Sequence, residues 1–251
     1  AAAYCEHRGA TLIVDGSPDA TTPEDLRTWR ETDLNTTSPN AAVFYPWLVQ
    51  QDPLAPGEEI VVPPSGAVAG VMARTDREHG VWMAAAGQNA SLEGISALTA
   101  QLGAEEAGEL NAVAINCLRV FDVLGAVVWG ARTTQGNDAL ASQWKYIPIR
   151  RLALMVEASI QAGTRWAADE PNDEGLWARL RGDVSDFLRA LHDDDALRGS
   201  SPLQAWFVKC DAQTTTEDDV ARGRVNMLVG IAPLAPAEFI LLEISQRAAV
   251  P

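Results

Sequence analysis

The chain predicts two units of mixed helix and strand, α/β to α+β in class, and three observations carry that reading. Its 251 residues suffice for two modest hydrophobic cores. Capped helix starts alternate with short β-branched runs along its length. Between the halves, residues 134–143 form a linker whose Thr134 to Ser142 stretch, TQGNDALAS, is polar, small and aperiodic. Residues 1–133 are the front unit and residues 144–251 the rear unit.

In the front unit, Ala1 to Arg8 reads as the end of a helix. Ala10 to Val14 follows as a strand closed by the turn Asp15-Gly16-Ser17-Pro18. Thr22-Pro23-Glu24-Asp25 sets a capping hydroxyl before proline and two acids, so a helix through Trp29 is predicted. Val43 to Val49 is apolar but contains Tyr45-Pro46-Trp47. Proline cannot donate to a ladder, so the reading is an edge strand at best. Glu59 to Val62 is strand-like, and Pro63-Pro64-Ser65-Gly66 reads as a turn, with Gly66 and Gly70 allowing close packing of a helix start. Ser91 to Leu102 alternates weakly, and Leu110 to Val120 leads into the β-branched run Ala126 to Trp129.

In the rear unit, Tyr146 to Arg150 looks strand-like, and from Leu152 the apolar residues Met155, Val156 and Ile160 recur at helical spacing. Trp166 to Asp169 reads as a short extended piece. Pro171 to Glu174 caps a helix whose stripe of Leu176, Leu180, Val184, Phe187, Leu188 and Leu191 should pack on a sheet. Ala205 to Cys210, Arg224 to Ile231 and Glu238 to Ser245 are predicted strands, with a capped single turn at Thr216 to Asp219. The tally describes helices on one face of a mainly antiparallel sheet. The last strand is free to pair with its own sheet or a neighbour's.

Nineteen basic and 34 acidic residues give a net charge of −15, the wrong sign for a surface that neutralises nucleic-acid phosphates. Cys5, Cys117 and Cys210 form no C-x-x-C pair, which argues against zinc or redox chemistry and for a reducing compartment. No apolar run is long enough to span a bilayer.

Ser65, Asp76 and His79 offer the residue types of a nucleophilic triad. The nucleophile elbow needs glycine two residues before the serine, where Pro63 stands, and residues this close in sequence rarely meet at one atom. No lysine-hydroxyl pair follows the glycines, so a phosphate loop fails too. His192-Asp193-Asp194-Asp195 has metal-ligand chemistry without a second cluster to complete a site. Three carboxylates at the negative end of a helix dipole still call for a cationic partner, which another subunit could supply. Arg150 and Arg151 are the complementary case, since guanidinium groups suit bidentate contact with carboxylates. Eight tryptophans are many for this length and are expected mostly in the core.

The order of short motifs says more than any one of them. Tyr45-Pro46-Trp47, Pro63-Pro64-Ser65-Gly66, Arg74-Thr75-Asp76, Gly80-Val81-Trp82, Ile115-Asn116 and Trp129-Gly130-Ala131-Arg132-Thr133 run in sequence. Trp144-Lys145-Tyr146, Arg150-Arg151-Leu152, Glu170-Pro171-Asn172, Phe207-Val208-Lys209-Cys210-Asp211, Gly230-Ile231-Ala232-Pro233 and Pro236-Ala237-Glu238-Phe239 follow. From Tyr4 to Gln246 this series resembles the tail sheath proteins of contractile phages and related injection particles. The chain departs from the family pattern at Ala84 to Gly87 and at His192 to Asp195.

The resemblance implies a C-terminal portion of a sheath subunit. Residues 1–133 would be part of a domain subtilisin-like in shape, and residues 144–251 a C-terminal domain ending in an exchange strand, Phe239, Ile240, Leu241, Leu242, Glu243, Ile244 and Ser245. Such subunits polymerise as stacked rings around an inner tube, meet baseplate and tail-end cap proteins, and contract to drive the tube through an envelope. The resemblance implies no enzyme activity, cofactor, metal, nucleic acid or membrane insertion. It implies assembly in the bacterial cytoplasm into a virion tail or injection particle. Arg74, Asp76, Arg150, Arg151, Asp193, Asp194 and Asp195 are the candidate interface charges, with Trp82 beside them. The competing readings are a non-contractile scaffold with the same strand exchange, and a serine hydrolase using Ser65, Asp76 and His79.

Overall fold

Residues 41–45, AAVFY, are buried along their whole length and form the axis of the front unit. The computed structural model describes residues 1–238; the predicted exchange strand Phe239–Ser245 lies outside the described residues. Strand β1 (Leu12–Asp15) pairs in parallel with β2 (Ala41–Tyr45). On its other side β2 pairs in parallel with β6 (Ile115–Phe121), which pairs antiparallel with β7 (Gly125–Trp129). A smaller antiparallel sheet has β3 (Leu48–Gln51) between β4 (Glu59–Val62) and β5 (Ala97–Leu98).

Both faces of the large sheet are covered, and that is why β2 is apolar at every position. Ala42 and Phe44 point into a core with Val68, Val71 and Met72 of helix α3 (Ser65–His79). Val43 and Tyr45 point the other way, onto Leu26 of α2 (Pro23–Trp29) and Leu110 of α4 (Ala104–Ala112). Helix α1 (Ala2–Arg8) precedes the sheet, and a π-helical turn, Arg30–Leu34, follows α2. Thr22, the expected cap, forms a full capping box with Asp25.

The rear unit is built on α5 (Ile147–Gly163) and α6 (Glu174–Asp193). Asp173 caps α6 through the Leu176 amide, 3.0 Å away. The α6 stripe meets Leu152 and Val156 of α5 and the inner face of a two-stranded antiparallel sheet, β8 (Trp206–Lys209) with β9 (Leu228–Ile231). Short helices α7 (Pro202–Ala205) and α8 (Glu217–Ala221) fill the connections, α8 within the capping box of Thr216 and Asp219.

Several expectations need correction. The Val43 to Val49 segment is not an edge: β2 is central, and Pro46, joined by a cis bond, stands just past its end. Pro63 to Gly66 is no free-standing turn, because Ser65 already opens the 15-residue α3. Gly66 and Gly70 do not permit close packing; a Cβ at either would meet nothing within 4 Å. Tyr146 to Arg150 is not a strand but the entry to α5, with Pro148 in its first turn, where a missing N–H costs nothing. Arg165–Ala167 is a 3-10 turn where an extended piece was expected, and only Leu228–Ile231 of the Arg224 run is strand. Of the tryptophans, Trp177 and Trp206 are buried, while Trp129 and Trp166 are exposed.

Gly80 does meet a steric demand. Its φ is +87°, and a Cβ there would lie 2.5 Å from the Trp82 ring, which packs on the rear core. Gly130 lets the main chain pass Asn116, which is fully buried in β6. The Asn116 amide donates to the Val43 and Arg132 carbonyls at 2.9 and 2.8 Å, and its oxygen accepts from the Arg132 amide at 2.7 Å. Replacing Asn116 with Ala strands three buried main-chain groups, so urea unfolding should show a loss of about 2–4 kcal/mol. A loss under about 0.5 kcal/mol would mean that the side chain ties nothing together.

Candidate assembly surface

The triad residues do not converge. Ser65 and Asp76 sit on the same helix, eleven residues apart, which is roughly 16 Å along its axis. Ser65 is occupied at the helix start, where its amide and hydroxyl donate to the Asp15 carboxylate at 2.8 and 3.0 Å. Asp76 accepts two hydrogen bonds from Arg151 on α5, at 2.8 and 2.5 Å. His79 is the last residue of α3.

The seven candidate interface charges fall into two groups. Arg74 donates to the Ser91 carbonyl at 2.7 Å and so holds α3 to the segment that covers β7. Arg150 donates to Asn40 at 2.8 Å and lies over the Trp144 ring. With Asp76 and Arg151 joined, four of the seven are engaged within the chain. Asp193, Asp194 and Asp195 are exposed where α6 ends, and among the described residues no Lys or Arg pairs with them. His192 beside them contacts the Gly199 carbonyl at 2.9 Å.

Among the described residues, two surface features remain apolar without cover. Above the Asp76–Arg151 pair, Ala69, Met72, Ala73, Leu154 and Met155 line a shallow depression of about 480 Å³. On the rear sheet, Trp206 and Val208 face the core, while Phe207 and Leu228 face out, each 53% exposed. The Phe207 ring lies across Gly230 on the paired strand. Among the described residues no third strand joins β8 and β9, and two strands alone are marginal in water.

A charged node ties the rear unit back to the front one. Arg132, whose side chain is 1% exposed, donates to both Glu238 oxygens at 2.7 Å. It also donates to the Asn111 and Gly136 carbonyls and to Asp138, at 2.7, 3.0 and 3.0 Å. Lys145 bridges Asp138 at 2.8 Å and Glu238 at 3.5 Å. Burial alone would raise the Glu238 pKa, but the Arg132 hydrogen bonds and charge, with Lys145 and Tyr146, hold it below the ordinary value. A depressed carboxylate adds stability above its unfolded pKa, near 4.5, that is lost as pH falls through the folded value. Sequence reading quoted Arg132 and Glu238 only as parts of motifs. The available signal was an arginine three residues past the end of a β-branched strand.

Two family models divide the chain between them. The phage tail sheath protein central domain matches residues 2–134, and the phage tail sheath C-terminal domain matches residues 141–247. The chain belongs to the phage tail sheath family. It is 27% identical over 198 residues to the tail sheath protein of Burkholderia phage BcepMu, covering 76% of this chain and 39% of that one. It resembles the PVC sheath complex of an extracellular contractile injection system in the contracted state. That match has a TM-score of 0.83 at 35% identity, over 94% of this chain and 63% of the other. A chain of the anti-feeding prophage baseplate matches with a TM-score of 0.82 at 32% identity, over 99% and 63%. The chain thus spans well under half of that curated relative and under two thirds of these structures.

Because Asp76 and Arg151 pair within one chain, their coupling should persist in the isolated subunit. A double-mutant cycle of Asp76→Ala and Arg151→Ala in denaturant unfolding should give about 1 kcal/mol at low salt, shrinking as salt rises. Zero coupling in the monomer would mean that the pair contributes nothing within the isolated subunit.

Proposed function

We propose that the chain is the central and C-terminal part of a contractile sheath subunit, which polymerises as stacked rings around an inner tube and shortens to drive that tube through a target envelope. The observation that carries this reading is the likeness to contractile-system sheath and baseplate chains over nearly all of its length. On this reading the front unit is the subtilisin-like-shaped part of the fold, a shape without implied protease chemistry. The rear unit is an α+β layer with helices on one face of its antiparallel sheet. Other copies, the inner tube protein, the baseplate and a tail-end cap are its partners. Assembly takes place in the bacterial cytoplasm before release as part of a virion tail or injection particle.

Work comes from the free-energy gap between two lattices of one protein, so no nucleotide is consumed. The joints that survive the change are main-chain ones. Phe239 to Ser245 of one subunit adds to the β8–β9 sheet of a neighbour, whose outer face already shows Phe207 and Leu228. Each main-chain hydrogen bond contributes about 0.5–1.5 kcal/mol net, so such a strand makes a joint of several kcal/mol that does not depend on side-chain registry. Asp193 to Asp195 then meet basic side chains of an adjacent copy.

Deleting residues 239–251 should leave a cooperatively folded subunit by circular dichroism and abolish sleeves in electron micrographs; sleeves of normal length would defeat the strand-exchange role. Micrographs of intact particles before and after triggering should show a shortened axial repeat. An unchanged repeat would instead favour a non-contractile scaffold.

A further inference from the structure

The path of the chain after β9 carries one more inference. Ala232 donates to the Ala205 carbonyl at 2.8 Å, and Pro233 bridges Leu197, so the rear sheet holds the chain this far. From Leu234 to Ala237 no main-chain hydrogen bond reaches another described residue. Pro236 and Ala237 border a cleft of about 430 Å³ with Gly108, Asn111 and Trp129 of the front unit. The chain is caught again only at Glu238, by Arg132.

Arg132 cannot adjust to meet a wandering partner. Its main chain is locked on both sides by Asn116, and its remaining donors are fixed on the Asn111 and Gly136 carbonyls. The node is balanced, with Arg132 and Lys145 against Glu238 and Asp138. Without Glu238, a guanidinium that is almost wholly buried keeps, among the described residues, only the half-exposed Asp138 as an anionic partner. The bidentate geometry fixes direction as well as position.

We propose that Arg132 and Glu238 form a charged mooring that fixes the root of the terminal segment on the front unit, and so sets the place and heading from which residues 239–245 reach a neighbouring subunit. Arg132 is a positioning residue, and the proposal rests on the strand-exchange reading above. A moored strand starts its reach at Phe239. An unmoored one starts at Leu234, five residues earlier, and the longer tether lowers the effective concentration of the strand at its acceptor edge. Loss of heading lowers it further.

The test uses the intact protein that carries this chain, comparing wild type with Glu238→Gln, Glu238→Ala and Glu238→Asp. Subunit unfolding is followed in urea, and the critical concentration for sleeve formation by sedimentation and electron microscopy. Gln and Ala should raise the critical concentration by about two- to tenfold, with Asp between them and wild type. The core substitution Ile115→Val supplies a subunit weakened with the mooring intact, and it should assemble close to wild type. The mooring is overturned if wild type forms sleeves and the Glu238 variants form them at the same concentration. It is overturned as well if Ile115→Val, at a matched loss of subunit stability, impairs assembly equally. If wild type forms no sleeves under any condition, the sheath reading itself fails and the mooring with it.

Discussion

Helix α5 belongs to two hydrophobic cores at once, and the arrangement of the chain depends on that sharing. Ile147, at its start, is buried with Leu118 and Val128 of the large sheet, while Leu152 and Val156, one and two turns on, are buried with Val184 and Leu188 of α6. Each such side chain contributes about 1.5–3 kcal/mol by leaving water. Between these anchors Arg150 reaches Asn40 and Arg151 reaches Asp76, so polar contacts to the front unit interrupt the apolar ones. Rotating α5 by one residue would turn Ile147 out of one core and Leu152 out of the other. The two units are therefore set relative to each other by helix geometry, with side-chain ion pairs as a secondary restraint.

This arrangement explains what could be read in the sequence and what could not. Helix α6 was legible because its cap, its stripe and its length are local properties, all within residues 173–191. Helix α5 was half legible: Leu152 onward shows the helical period, but Ile147-Pro148-Ile149 is an apolar run whose first member faces a different core. Strand β2 was misjudged because a strand covered on both faces shows no alternation, and Pro46 lies one residue beyond it. Helix α4, AEEAGELNA, buries only Ala107 and Leu110, too thin a stripe to stand out.

The polar surface shows the same division. Asp76 and Arg151 were both singled out, but their pairing across 75 positions follows from the tertiary path that brings α5 alongside α3 and from nothing local. Arg132 and Glu238 are 106 positions apart. Their residue types carry no hint of each other, and only the path of the chain across the front unit brings them together. The Asp193 to Asp195 cluster was legible because its oddity is local: carboxylates crowd the negative end of a dipole, and the fold brings no Lys or Arg to them among the described residues.

A sleeve that stores work in its lattice needs subunits that do not absorb that work by bending. In this chain four of the seven charged side chains that looked available for partners are engaged internally: Arg74 on the segment beside β7, Arg150 on Asn40, and Asp76 with Arg151 between α3 and α5. Beside the exposed Asp193 to Asp195 cluster, two more general features face neighbours. This chain's net charge of −15 acts over roughly 8–10 Å at moderate salt and opposes the approach of like-charged copies. Against that repulsion the proposed strand exchange would set the edges of β8 and β9, which no third strand joins among the described residues and where main-chain pairing is short-ranged and indifferent to charge. On the proposed strand-exchange reading, long-range repulsion with short-range, portable joints favours subunits that stay separate until they are held in register, and joints that stay closed while the side-chain contacts around them change.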